Sequence, residues 1–191
     1  MARTADQAHR SALLERVVDY AQEHGIAELS LRPLGEAVGA SPRTLLYYFK
    51  SKDDMLAEAL AHARARQQAL FASLMIADED SHGTVCREIW RLLSSDDARP
   101  AFRMFFEIYG IALHDRTRFP GFLDRAVEEW LAFLELAPLR RGCSPERARA
   151  IATVTLAMFR GLLLDLAASG DRARVDRAFE LWIGEWSDAA G

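Results

Sequence analysis

Lysine is almost missing from this 191-residue chain, and the two that occur, Lys50 and Lys52, lie two positions apart. Cysteine is equally scarce. Cys86 and Cys143 stand alone without CxxC spacing and read as small buried thiols in a reducing cytoplasm. Six prolines and eleven glycines are too few for a disordered chain. No run of eighteen or more uncharged apolar residues occurs, so no membrane-spanning segment is expected. The N-terminal stretch MARTADQAHR has no apolar core and is not a signal peptide. GxSxG, HExxH, GxGxxG and P-loop patterns are all missing, and the five scattered histidines make no ligand spacing. Neither an enzyme nor a metal or other cofactor is therefore expected.

Half of the chain is apolar, ample for a buried core. A net charge of −4 argues against a protein that coats nucleic acid indiscriminately. The charge is unevenly placed, however. Up to Lys52, seven basic residues against six acidic ones give +1; beyond it, seventeen against twenty-two give −5. The N-terminal part has the sign that binding to DNA needs.

That part contains the most informative stretch, SLRPLGEAVGASPRTLLYYFKSK, from Ser30 to Lys52. Ser30 is placed to cap a short helix, with Pro33 in its first turn and Leu31, Leu34, Ala37 and Val38 at helical spacing. Gly39 suits the left-handed residue that ends such a helix. Ser41-Pro42 then restarts one, as N-cap and first helical residue. Stop, short turn and restart form a helix-turn-helix, whose second helix enters the DNA major groove. Arg43, on the first turn of that helix, can reach guanine O6 and N7 together. Thr44 and Tyr47 project from the same helix and suit a thymine methyl or a phosphate. Lys52 sits at the N-terminus of a further helix, itself attractive to phosphate, with Lys50 beside it.

The stretch resembles the DNA-binding segment of TetR-family transcriptional regulators. The resemblance covers residues 8 to 60 and rests on Arg32, the turn Gly39-Ala40-Ser41, the run Tyr47-Tyr48-Phe49, and Ser51-Lys52-Asp53-Asp54-Met55-Leu56. Upstream, Ala12-Leu13-Leu14 to His24-Gly25 is similar to the family's first helix and its glycine exit. The resemblance implies DNA contacts from Arg32 and Ser41 as well as Arg43, Thr44, Tyr47, Lys50 and Lys52. The chain departs from the pattern at Gly35, at Arg43 and at Leu46, where most members carry a tyrosine that touches phosphate. Leu46 cannot donate that hydrogen bond.

Taken in order, residues 1–7 read as a frayed arm and 8–24 as an amphipathic helix. A long helix capped by Ser51 and Asp54 follows the motif. The acidic group Asp78-Glu79-Asp80 with His82 reads as a solvated break. Helices are then expected at about 84–93, 100–115, 120–136 (ended by Pro138), 145–169 and 171 onward. Nine helices and no strand make an all-α protein. A helix-turn-helix domain over 1–52 precedes a ligand-binding and dimerisation bundle over 53–191.

The resemblance further implies an apolar pocket among the middle helices. Trp90, Phe102, Phe105, Phe106, Tyr109, Trp130, Phe133, Met158 and Phe159 supply aromatic and apolar bulk for it, and Arg103, Tyr109 and His114 supply polar groups. Its ligand would be small and largely apolar. The helix 145–169 is apolar nearly all round, and a stripe of Val175, Phe179, Trp182 and Trp186 follows. Together they look like half of a dimer interface, carried by Ile151, Val154, Met158, Leu162, Phe179, Trp182 and Trp186. A cytoplasmic homodimer on a palindromic operator, a repressor released by its ligand, is the expected function. The alternative is a helical ligand-binding or enzymatic bundle whose helix-turn-helix only packs.

Overall fold

The computed structural model describes residues 2–26, 29–74 and 82–189. Among these residues lie nine helices and no strand: α1 (Ala2–His24), α2 (Leu31–Val38), α3 (Pro42–Phe49), α4 (Lys52–Leu74), α5 (His82–Leu93), α6 (Arg99–His114), α7 (Phe122–Arg140), α8 (Pro145–Ser169) and α9 (Arg172–Ala189). The protein is all-α, as its periodicity indicates.

Local chemistry explains most of the boundaries. The Ser41 and Ser144 hydroxyl oxygens accept the Thr44 and Arg147 N–H groups at 3.0 and 3.3 Å, each ahead of a proline that opens the helix. Gly39 and Gly170 close α2 and α8 at φ 69° and 67°, a conformation strained for any residue with a Cβ. Asp171 accepts the Arg174 N–H at 3.1 Å and caps α9.

Three expectations need correction. The first residues form no frayed arm, because α1 already begins at Ala2. The Tyr48 hydroxyl on α3 donates to Asp6 at 2.8 Å, fastening that end of the helix. Ser30 holds the N-cap position of α2, yet its side chain makes no cap bond. Pro138, expected to end α7, lies buried inside its last turn. Proline forfeits only its own N–H bond, and its carbonyl still accepts from Cys143 N–H at 3.1 Å. The left-handed Gly142 (φ 83°) turns the chain instead. The acidic group Asp78–Asp80 lies outside the described residues; His82, grouped with it above, is the buried first residue of α5.

By contacts the chain forms two compact units that do not follow chain order. The first comprises Met1–Leu70 and Pro100–Pro120, so it holds the helix-turn-helix, most of α4 and the body of α6. Its core includes Leu13, Val17, Val18, Leu34, Val38, Leu45, Phe49, Met55 and Leu56, all 3 % exposed or less. Burying each such side chain is worth roughly 1.5–3 kcal/mol. Polar contacts join α1 to α4: Arg10 pairs with Glu58, and Glu15 meets His62 at 2.7 Å and Arg66 at 3.3 Å.

The second unit comprises Phe71–Arg99 and Gly121–Gly191, where α7 packs along α8 and α9 lies against both α5 and α8. Arg149 pairs with Glu128 and Glu135 of α7, and Arg174 of α9 with Asp165 of α8. By length and mean hydropathy α8 is apolar enough to cross a membrane, although Arg149, Arg160 and Asp165 interrupt its apolar run. Here Ala148, Ile151, Ala152, Leu156, Phe159 and Leu163 line its buried face.

Candidate nucleic-acid interface

Three packing decisions place α3 on the surface. Leu45 and Phe49 point inward, 0 % and 1 % exposed, and anchor the helix to the core. The turn before it is tight: Ala40 N–H donates to Gly35 O at 2.9 Å, and a methyl group on Gly35 would press into the Ala40 carbonyl oxygen. Gly35 is thus the residue that lets the turn approach α2 so closely. Ser41 and Thr44 are bound to each other, with hydroxyls 2.8 Å apart, so Ser41 serves as the cap that orients the first turn of α3.

The opposite face of α3 carries Arg43 and Tyr47, with Leu46 on its flank and Lys50 following. Tyr47 is 74 % exposed and Leu46 39 %. No acidic residue occurs in α3. Arg32, in the first turn of α2, is exposed and only loosely paired with Glu36 at 3.4 Å. Arg32, Gly35, Glu36, Gly39, Ala40, Ser41 and Pro42 line a shallow cleft beside the turn. Tyr48 is half-buried; its ring lies on His9 and its hydroxyl goes to Asp6, so it supports α1.

Lys50 has the only positive φ among the described non-glycine residues, 65° with ψ −54°. Ser51 N–H donates to Phe49 O at 2.7 Å across it, which makes Lys50 the centre of a γ-turn. Immediately after, Ser51 and Asp54 exchange capping bonds of 3.0 and 2.8 Å and open α4. Lys52, half-buried, is the first residue of α4. Asp53 beside it is held by Arg118 at 3.0 Å, which turns that carboxylate's charge toward Arg118.

The expected pocket residues divide between the units. Phe102, Arg103, Phe105, Phe106, Tyr109 and His114 all lie on α6. Phe105 meets Phe106 and Tyr109 at ring distances of 5.4 and 5.5 Å, and these rings are half-buried, whereas Arg103 and His114 are exposed. Trp90, Trp130, Phe133, Met158 and Phe159 are in the second unit. Trp90 stacks on Phe179 at 4.9 Å and near Phe159, and its indole N–H donates to Asp176, which makes it a core ring. Trp130 and Phe133 meet edge to face on α7.

The expected interface residues divide as well. Ile151 and Phe179 are buried within the chain; Val154, Met158, Leu162 and Trp182 are half-buried, and the side chain of Trp186, on α9, lies outside the described residues. The Trp182 indole N–H is buried without a hydrogen-bond partner. On these two helices Leu164 (52 % exposed) and Leu181 (63 %) are the large apolar side chains most presented outward, and Leu136 and Leu139 of α7 are exposed as well.

Two groupings had no signal in sequence, because their members are far apart in it. Ile26 N–H donates to the Glu107 carboxylate at 2.6 Å, and Gly25 leaves room for that carboxylate. In the second unit the buried His82, Cys86 and Thr155 form a polar knot, with the His82 ring nitrogen 3.5 Å from the thiol and 3.4 Å from the hydroxyl. Burial, with a lesser push from the Arg141 charge, holds the His82 imidazole down to about 4. Burial raises the Cys86 thiol to about 12, so it stays protonated and inert.

Residues 13–59 match the profile of the family described as "Bacterial regulatory proteins, tetR family". That span runs from α1 into α4 and encloses the helix-turn-helix. No curated protein matches the chain. Similar solved structures include a transcriptional regulator from Rhodococcus sp. Rha1, at TM-score 0.76 and 18 % identity over 92 % of this chain and 94 % of that one. A TetR transcriptional regulator from Legionella pneumophila superposes at TM-score 0.69 and 14 % identity, covering 91 % and 94 %. The multidrug binding protein EbrR, complexed with imidazole, gives TM-score 0.62 and 23 % identity, covering 91 % and 87 %. At these identities the likeness establishes a shared fold.

Proposed function

We propose that this chain, whose residues 13–59 carry the DNA-binding segment of the tetR family of bacterial regulatory proteins, is a cytoplasmic repressor. It binds a palindromic operator as a homodimer and leaves it when a small, largely apolar ligand binds. The observation that carries the reading is the acid-free outer face of α3, where Arg43 and Tyr47 stand exposed beside Arg32 and Lys50. Such a helix can put side chains on base edges while neighbouring cations take the phosphates. The half-buried aromatic row of α6 and EbrR's bound imidazole support a ligand function. Exposed Leu164 and Leu181 support self-association. Linkage supplies the mechanism: ligand and operator favour different arrangements of the dimer, and each weakens the other by the same factor. No catalytic step is needed.

The test is binding of the purified chain to DNA flanking its own gene, against a scrambled duplex, at low and physiological salt. A specific duplex held about a thousandfold more tightly, by two protomers, is the expected result. Equal binding to both duplexes that disappears with salt would leave charge attraction alone and end this reading.

A further inference from the structure

We propose that Leu46 is a base-reading residue, whose side chain packs on the C5-methyl group of a thymine in the major groove. The proposal rests on the DNA-binding function above and adds a specificity element to it.

Position comes first. With Leu45 and Phe49 turned to the core, Leu46 falls on the flank of α3, three residues from Arg43 and four from Lys50. The three-residue spacing to Arg43, also on α3, makes the two side chains neighbours on the helix surface. Leu46 therefore stands beside the Arg43 cation, 39 % exposed, on a helix without an acidic residue. It is a large apolar group on the face whose charge draws it toward DNA.

Chemistry narrows the partner. A leucine side chain neither donates nor accepts a hydrogen bond, so it has no use for a phosphate or for most base-edge atoms. The major groove displays one apolar group, the thymine methyl. Leu46 on that methyl removes both from water, worth ~0.8 kcal/mol per buried carbon, about fourfold in affinity. Isolated exposed leucines are common and often idle. What distinguishes Leu46 is its place beside Arg43 on the acid-free helix that carries Tyr47 outward.

The experiment takes the tightest duplex selected from a randomised pool and replaces each thymine in turn by deoxyuridine, which deletes the methyl and nothing else. Wild type should lose about fourfold at one symmetry-related thymine pair beyond its other losses. Leu46→Ala should bind more weakly and lose the methyl sensitivity at that thymine alone; Leu46→Met should keep it. Unchanged methyl sensitivity in Leu46→Ala, or a flat scan in wild type on a strongly preferred duplex, overturns the role of Leu46 and leaves the regulator intact. Failure to select any duplex overturns both.

Discussion

The γ-turn at Lys50 makes a test at the scale of one residue. A non-glycine side chain at φ 65° is strained by about 1–3 kcal/mol. The turn persists because α3 is anchored by Phe49 on one side and α4 is capped by Ser51 on the other. Lys50→Gly should therefore stabilise the fold by about 1 kcal/mol in urea denaturation while weakening operator binding. A variant that is both less stable and equally tight would remove strain from the account. Arg43→Ala should cost about 1–3 kcal/mol and relax preference at one base position. Lys52→Ala should weaken all duplexes alike and reduce the salt slope by about 1, read from titrations at several salt concentrations. His82 gives a pH dependence. Its folded pKa of about 4 lies below the ordinary 6.5, so in that window the unfolded chain binds a proton the folded one refuses. The neighbouring thiol and hydroxyl are uncharged, and Arg141 adds repulsion. Stability should fall as pH drops from 6.5 toward 4, by an order of about 3 kcal/mol, and level off below. Denaturation midpoints of His82→Gln should lack that slope; an identical slope would assign it to other groups.

At the scale of elements, α6 and the segment after it belong to the same compact unit as the helix-turn-helix, and two polar contacts there are of unequal strength. Glu107 accepts the buried Ile26 N–H at 2.6 Å, whereas Arg118 and Asp53 form an ion pair about 40 % exposed on each side. An orphaned buried donor costs about 1–3 kcal/mol, an exposed ion pair roughly 0–1. Glu107→Ala should thus lower the melting temperature clearly more than Arg118→Ala, with Glu107→Gln, which keeps an acceptor, in between. Equal effects from the two alanine variants would contradict this ranking. Helix ends were largely legible in sequence, because Ser-Pro starts and glycine stops act through bonds within a few residues. Pro138 was misleading for a physical reason. A proline in the last turn forfeits one hydrogen bond, and burial of its ring holds it in place.

At the scale of the molecule, the outward leucines of α8 and α9 bear on assembly. Ile151 and Phe179 are occupied inside the chain, whereas Leu164 and Leu181 are exposed, and in the proposed homodimer they are candidates to meet a second copy. Leu164→Glu should raise the dimer dissociation constant about tenfold or more in sedimentation experiments, with helical content unchanged and operator binding reduced. Undiminished dimerisation would move the interface elsewhere.

Periodicity, caps and turn residues determined the all-helical class, the helix count and the helix-turn-helix, since each depends on contacts between near neighbours in sequence. The same local pattern nominated Arg43 and Tyr47, because an eight-residue helix with two buried positions leaves few that can face outward. Only the tertiary structure decided which apolar stripes close on the chain itself. Trp90, Phe159 and Phe179 have the composition of pocket or interface residues, yet they stack on one another in the core. Glu107 with Ile26, and His82 with Thr155, became visible only once distant segments met. Burial and charge pairing are properties of neighbours in space, and spacing along the chain does not encode them.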